Sequence, residues 1–340
     1  MRAFGAIALV LGLVVADTAG AQEFAVVDVP SVTALAAEQL RPRTIAFTDH
    51  RNDEIADPGT GLIRFEDWAR ARPLQKQMLS LYPGFVEPTF NVKANGVTKP
   101  FTEKLHIYVA ETRFALAKPS ASLGLARFAS LAFLEGIDTS IKHQLIAASE
   151  VAPLKKPDLA YLRHPGREWC ASAMQGICTQ SRYKFEGKLP AAIMLANKLR
   201  ENSKPVAEHV EFQSELRLVP ESDPGNLVRL TGLNAPVAGV LEQNIFWVNQ
   251  IMLFGRFLAV FQQHPSDPNK TVATAFMALA VKSDVLERKK EYETIPVLRN
   301  LVPAQVLVGN SSFNTGNSIS AGLPAYVRNR IKAIATIIER

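Results

Sequence analysis

Cysteine is scarce in this chain, with two among 340 residues. So few cysteines exclude a small scaffold held together by several disulfides. Cys170 and Cys178 lie eight positions apart, and Gly176 between them favours a turn. We predict a structural disulfide, because a redox pair normally has C-x-x-C spacing and a zinc site would need a neighbouring cluster of His or Cys. Closing a ring of about nine residues would stabilise the fold by roughly 2.5 kcal/mol.

Motifs for phosphate, zinc and calcium sites are missing as well. The sequence has no G-x-x-x-x-G-K-[ST], no H-E-x-x-H and no EF-hand loop. It lacks G-x-S-x-G too, and the nearest match, at 316–320, ends in serine. Ser181 and Lys184 match S-x-x-K, but in the strand predicted over 179–186 positions i and i+3 face opposite sides. We therefore predict no cofactor and no metal, and no motif assigns a catalytic residue.

Histidine is sparse and dispersed, since no two of the six histidines are closer than 21 residues. The compact polar cluster is 49–54, with the sequence D-H-R-N-D-E. It could supply metal ligands or a general base, although an exposed turn is the more common role of such a segment. A Ser/His/Asp triad assembled from distant residues also stays open, because its members need not be near in sequence.

The chain has a modest excess of positive charge, with 38 Lys and Arg against 32 Asp and Glu. The basic residues are scattered, and the densest runs, such as Lys155–Lys156 and 328–332, are not interleaved with aromatic residues. The aromatic-lined basic stripe of a nucleic-acid groove is therefore absent, and we predict no nucleic-acid partner. An anionic membrane surface is retained as a candidate partner.

Long hydrophobic runs are absent except at the N-terminus. Arg2 precedes an uncharged, mostly apolar segment at 3–16, and Ala19-Gly20-Ala21 forms an A-x-A cleavage pattern. These features predict a secretory signal peptide, 1–21, cleaved after Ala21, and export to the periplasm or the exterior. An uncleaved anchor is the alternative, but the run is short for a bilayer of roughly 30 Å.

The rest of the chain is ordinary for a globular protein, with 47% hydrophobic and 21% charged residues. We predict an α+β fold: a curved antiparallel sheet in the C-terminal two thirds, packed with helices including a long C-terminal one. A mixed, mainly helical or irregular region (22–119) would precede an α+β domain (120–340), or 22–340 would form one large domain. Helical spacing of apolar residues predicts a long helix from Ser120 to about 145. Three prolines make 151–166 either a linker or a loop wrapped over one core.

Three patterns define the predicted sheet and its helix. Strict alternation over 211–219 predicts a strand whose Glu211, Gln213, Glu215 and Arg217 face solvent. The apolar segment 236–282 predicts three strands joined by hairpins, although two helices are the alternative. From Pro324 onward, four residues share one helical face and predict an apolar stripe: Val327, Ile331, Ile334 and Ile338.

The apolar segment also suggests a function. Polar Gln243, Asn244, Asn249 and Gln250 recur among large aromatic residues, and each would need a buried partner. Aromatic surface with a few convergent amides is typical of a cavity for an amphiphilic ligand, although simple core packing is the plainer explanation. The predicted ligand-binding residues are Phe246, Trp247, Asn249, Gln250, Phe254, Phe257 and Phe261. We predict non-catalytic binding of an apolar or amphiphilic molecule; an exported hydrolase and an envelope scaffold are the alternatives.

Overall fold

The computed structural model describes most of the chain after the predicted signal peptide. The described residues are 23–57, 61–71, 81–82, 84–85, 89–94, 96–102, 105–156, 159, 162–171, 175–184, 209–219, 224–249, 252–281 and 319–340. The signal peptide, Gln250 and the first three residues of the near-match at 316–320 lie outside these residues.

In the part of the chain that the structure describes, ten strands form one mixed sheet, and two more form a separate hairpin. The strands are β1 Ala25–Asp28, β2 Thr44–Asp49, β3 Ile63–Arg64, β4 Thr89–Ala94, β5 Val97–Thr102, β6 His106–Leu116, β7 Ile141–Leu145, β8 Gly176–Lys184, β9 His209–Val219, β10 Val237–Val248, β11 Met252–Gln263 and β12 Thr271–Val281. The sheet order is β1-β2-β6-β12-β11-β10-β9-β8-β7, β3 also pairs with β6, and β4 pairs with β5. Only β1 and β2 pair in parallel among the described strands.

Among the described residues, the helices are short except for the last. They are α1 Phe65–Arg70, α2 Leu131–Ile137, α3 Ala152–Lys155, α4 Pro224–Thr231 and α5 Ile319–Glu339. Four single 3₁₀ turns lie at Ala37–Gln39, Ser120–Ser122, Leu125–Phe128 and Ala148–Glu150. The α+β class and the C-terminal helix are thus confirmed, whereas the curvature of the sheet stays a prediction. No helix in the described part of the chain is long and apolar enough to cross a membrane.

The expectation of a mainly helical or irregular region before residue 120 is wrong. β1, β2, β3 and β6 all precede that position, and β6 pairs with β12 along eleven residues. β6 alone extends over eleven residues, from His106 to Leu116. Strands from both sides of residue 120 therefore belong to one sheet, and the division into domains stays a prediction.

The long helix predicted from Ser120 is also wrong. Gly124 adopts a left-handed conformation with φ +55°, and this interrupts the helix. Ser130 then caps the seven-residue α2 by accepting a hydrogen bond from the Phe133 amide. After α2, the Asp138 side chain accepts two hydrogen bonds from Ser140, and the chain enters β7. Segment 151–166 is not a free linker, because Val151 and Leu162 are buried in the core.

The three strands of 236–282 are confirmed as β10, β11 and β12. The apolar stripe of the last helix is confirmed too, with all four residues at most 2% exposed. The helix begins at Ile319, so Pro324 lies inside it and not at its first position. The strand at 211–219 is confirmed as β9, but its predicted solvent face is wrong, because Gln213 and Glu215 are buried.

The sheet separates two apolar layers. The face covered by α5 and α2, here called the helix-covered face, carries Tyr108, Ala110, Leu216, Leu241, Phe257, Ala259, Phe261, Ala273, Ala275 and Met277. The opposite face packs against α1 and α4 through Ile107, Val109, Val240, Phe254, Leu258, Val260, Phe276 and Ala278. Because side chains alternate along a strand, one residue step moves a side chain from one layer to the other.

Candidate ligand-binding site beneath the C-terminal helix

The predicted aromatic ligand residues do not lie on one face. Phe257 and Phe261 point toward α5. Phe254 packs in the opposite layer, with its ring 5.9 Å from that of Phe85. Phe246 and Trp247 also lie in clusters of the opposite side, where the Phe246 ring stacks on Trp169 at 5.0 Å. The aromatic set is therefore divided by the period-two alternation of the strands.

The predicted polar groups also separate. Asn249 holds the end of β10 against β9, since its Oδ1 accepts from the Glu211 amide at 3.0 Å and its Nδ2 donates to the His209 carbonyl. Gln243 pairs in register with Phe257 and Leu216, both of which lie on the helix-covered face. Asn244, one residue later, lies on the opposite face.

A continuous chain of hydrogen bonds, here called the polar row, crosses four strands on the helix-covered face. Gln243 Nε2 donates to Ser214 Oγ at 3.1 Å, and Ser214 Oγ lies 3.2 Å from Thr179 Oγ1. Ser181 Oγ lies 3.3 Å from Thr179 Oγ1 and 2.7 Å from His143 Nδ1. The row thus connects β10, β9, β8 and β7 within the apolar layer.

The polar row is almost entirely removed from water. Thr179, Ser181, Ser214 and Gln243 are each at most 4% exposed, whereas His143 is half-buried. Burial lowers the pKa of His143, and the charge of Arg330 lowers it further. A neutral His143 can accept a hydrogen bond from Ser181 through Nδ1.

The last helix contributes a charged group to this row. Arg330 is half-buried, and its Nη2 donates to Gln243 Oε1 at 2.6 Å. The row therefore ends in a guanidinium at α5 and in an imidazole at β7. In chemical terms, it offers hydroxyl, amide, imidazole and guanidinium groups in the layer that also holds Phe257 and Phe261.

Two further hydroxyls on the helix-covered face lack a hydrogen-bond partner among the described residues. They are Tyr108 Oη and Thr112 Oγ1, both on β6 and both in residues at most 3% exposed. Burial also raises the pKa of the Tyr108 phenol. A buried hydroxyl without a partner is costly, by about 1–3 kcal/mol. Each is thus a group that a polar atom of a ligand or a water molecule would stabilise.

The opposite face carries a contrasting charged network, made of Arg167, Glu215, Arg217, Glu242, Asn244 and Arg256. Arg256 Nη2 lies 2.6 Å from Glu242 Oε2, and Arg167 Nη1 lies 3.0 Å from Glu215 Oε2. Arg217 and Asn244 also bind these two carboxylates. The two arginines nearest Glu242 hold the pKa of its carboxyl down despite burial. This network explains why Glu215 is buried and not exposed.

The predicted disulfide is confirmed and lies beside this network. Cys170 and Cys178 are bonded, and the Cys170 amide donates to Glu215 Oε2 at 3.1 Å. Gly176 opens β8 and is not part of a free turn. A Cβ at Gly176 would lie 2.1 Å from the Leu216 carbonyl oxygen, so only glycine permits this approach to β9.

The polar cluster at 49–54 is held together by hydrogen bonds. His50 Nδ1 lies 2.6 Å from Asp53 Oδ2, and His50 Nε2 lies 3.0 Å from Glu111 Oε1. Both imidazole nitrogens are thus engaged by carboxylates. No group of His, Cys, Asp and Glu that could hold a metal is found in the part of the chain that the structure describes.

Sequence reasoning missed most of the polar row. The alternation over 211–219 places Ser214 on the apolar side of the strand, where a hydroxyl signals a buried polar contact. His143 was missed because its segment was taken for helix. Nothing in the sequence distinguishes Arg330 from the other basic residues of the last helix.

Comparison with known proteins gives only distant similarities. No family model matches the sequence, and no curated protein matches it significantly. Among solved structures, the chain is similar to Ara h 8.0201, with 8% identity, coverage of 68% of this chain and 97% of that one, and a TM-score of 0.31. It is also similar to norcoclaurine synthase from Thalictrum flavum, with 10% identity, 69% and 87% coverage, and a TM-score of 0.29. Values of this size assign neither a family nor a function.

Proposed function

We propose that this protein is exported and binds a small amphiphilic molecule, without catalysis, between α5 and the helix-covered face of the sheet. The observation that carries the proposal is the polar row buried in the apolar layer beneath the helix. The apolar body of the ligand would contact Phe257 and Phe261, and its polar end would meet the row. The other aromatic residues of the predicted set would support the opposite layer.

The unpartnered hydroxyls support this proposal. Interiors of folded proteins leave few buried polar atoms without a partner. Tyr108 and Thr112 each present such an atom in the layer that faces α5. Gln262, whose Oε1 also lacks a partner, has its amide nitrogen bound to two backbone carbonyls. The Tyr108 and Thr112 hydroxyls are therefore the groups to which we expect a ligand to supply the missing hydrogen-bond partner.

Export is supported by the Cys170–Cys178 disulfide, because such bonds persist mainly in oxidising compartments. The signal-peptide pattern ending at Ala21 supports it independently. An anionic membrane surface would be a plausible source of amphiphiles for a chain with an excess of six positive charges.

Native mass spectrometry of protein purified without detergent, followed by organic extraction, tests the proposal. We expect an adduct that extracts as a small amphiphile and is lost in Phe257→Ala, on the helix-covered face. The matched control is Phe254→Ala, which removes a buried ring from the opposite face and should keep the adduct. An adduct lost equally in both variants, or no adduct even after incubation with lipid extract, would contradict the proposal.

A second candidate function, hydrolysis of an ester, is favoured by one contact. Ser181 Oγ lies 2.7 Å from His143 Nδ1, the arrangement in which a base removes the proton of a nucleophile. Within the described residues, no carboxylate is hydrogen-bonded to His143. Labelling by a fluorophosphonate, in which Ser181 Oγ bonds to phosphorus and fluoride leaves, would support this function. Equal labelling of wild type and Ser181→Ala would exclude it.

A further inference from the structure

Arg330 differs from its neighbour on the last helix in having no acidic partner. Arg328, two residues earlier, pairs with Asp28 and lies over the ring of Phe47. No carboxylate among the described residues lies within ion-pair distance of Arg330. Its Nη2 donates instead to the Gln243 side chain, which is neutral.

The lack of an acidic partner among the described residues matters because of where Arg330 lies. Arg330 is half-buried as a residue, and its guanidinium contacts the first member of a row whose interior hydroxyls are inaccessible to water. A guanidinium has five N–H donors in a planar fork that matches a carboxylate, and a charge-assisted pair of this kind is strong where water is excluded. Most of these donors are left available by the single bond to Gln243.

Two acidic side chains lie near the row, but neither forms an ion pair with Arg330. Glu135 and Asp138 act on the pKa of His143, at the far end of the row, and oppose the effect of Arg330 on it. Asp138 is engaged by Ser140 through two hydrogen bonds. The site beneath α5 thus has a positive end at Arg330 and a neutral interior at Ser214, Thr179 and Ser181.

We propose that Arg330 binds the carboxylate head of the amphiphile, an inference that rests on the proposed binding function and specifies its ligand class. The carboxylate would accept two parallel N–H bonds from the guanidinium, and the Gln243 amide would orient the Arg330 side chain. The apolar chain of the ligand would then extend over Phe257 and Ala259. The ligand class is a carboxylic acid with a long apolar body.

Binding of cis-parinaric acid and its methyl ester to delipidated protein tests the head-group assignment. The two fluorescent probes share an apolar chain and differ in the carboxylate. We expect the wild-type protein to bind the acid at least tenfold more tightly than the ester. Equal affinities would overturn the carboxylate assignment while leaving the binding function in place, whereas binding of neither probe would overturn both.

Two variants test whether Arg330 causes the preference for the acid over the ester. Arg330→Gln should weaken acid binding about tenfold, which is about 1.4 kcal/mol, and leave ester binding within twofold. Arg340→Gln makes the same charge change at the exposed end of the helix and should change neither affinity. A tenfold loss of both probes in Arg330→Gln, or the same loss of acid binding in Arg340→Gln, would overturn the assignment.

Gln243→Glu provides a second test that keeps Arg330 in place. The new carboxylate would pair with Arg330 and compete with the ligand, so acid binding should fall at least tenfold while ester binding persists. This variant still tests the proposal if Arg330→Gln does not fold. Unchanged acid binding in Gln243→Glu would contradict the proposal.

Discussion

The two faces of the sheet bury polar groups in different ways. On the opposite face, three arginines and two glutamates bind one another, and each carboxylate meets at least two donors. On the helix-covered face, the buried groups are neutral hydroxyls and amides, and the one arginine that reaches them has no carboxylate within the described residues. A network whose charges are satisfied internally needs no ligand. A row that ends in an unneutralised cation has the chemistry of a binding site.

Disruption of the charged network should have the largest effect on stability and so tests the difference between the two faces most strongly. Glu242→Gln would leave Arg256 and Arg217 without their shared carboxylate in a buried setting. We expect a loss of about 3–5 kcal/mol in the free energy of unfolding, measured by urea titration. Adduct formation by the variant that stays folded should be unchanged, because the network lies on the opposite face.

The matched control for that variant is Asp67→Asn. Asp67 pairs with Arg70 on α1, and the Arg70 side chain is 62% exposed. Removing an exposed pair should cost less than about 1 kcal/mol. Equal losses in the two variants would show that the buried network contributes no more to stability than a surface ion pair.

Removal of the disulfide is expected to have the next largest effect. The Cys170→Ala/Cys178→Ala variant should lose about 2.5 kcal/mol of unfolding free energy, because the unfolded chain gains the freedom of an open loop. Wild-type protein treated with dithiothreitol should match the double variant in the same urea titration. A loss below about 1 kcal/mol would show that the packing of Trp169 and Phe246 holds this region without the bond.

A titration of His164 sharpens the description of the opposite face. Burial, and after it the charge of Arg167, lowers the pKa of His164 from 6.5 to about 4. The Gly166 and Arg167 amides donate to its Nδ1, which requires the unprotonated nitrogen. Between pH 6.5 and about 4, the unfolded chain therefore binds a proton that the folded protein does not.

Stability should consequently fall as the pH is lowered through that window. In His164→Gln, we expect the loss of unfolding free energy between pH 7 and pH 4.5 to be smaller by roughly 1 kcal/mol, a value reduced for the partial exposure of the ring. Thermal unfolding at several pH values measures the difference between the two proteins. Identical pH profiles would contradict the lowered pKa.

The elements that local pattern defines could be predicted from the sequence. Apolar runs and turn residues predict the strands of 236–282, and spacings of three and four residues predict the stripe that ends at Ile338. The helix predicted as far as residue 145 is wrong in the segment of Ile141 and Leu145, because a spacing of four residues fits both a helix face and one side of a strand. The solvent exposure predicted for Glu215 is wrong because its arginine and amide partners come from other segments. A charged residue considered alone is expected in water.

The candidate site was less predictable than the fold because its residues also come from different segments of the chain. His143, Ser181, Ser214 and Gln243 are separated by 29 to 38 residues between neighbours, so only the pairing of the strands brings them together. The two faces were also merged in the prediction, which placed Phe254 with Phe257. Phe254 and Phe257 are three residues apart on β11, so the period-two alternation of a strand already places them on opposite faces, and the prediction grouped the aromatic residues by composition without applying that alternation.

The smallest expected effect distinguishes hydroxyls that have partners from those that have none. Thr112→Val replaces a buried, unpartnered hydroxyl by a methyl group of similar size, and should raise the unfolding free energy of the delipidated protein by up to about 1 kcal/mol. Ser181→Ala removes a hydroxyl bonded to His143 and should lower it by about 1 kcal/mol. Urea titration of both variants checks the opposite signs. If Thr112→Val lost as much stability as Ser181→Ala, its hydroxyl would already be satisfied within the empty protein, and only Tyr108 would remain as an unpartnered group for the ligand.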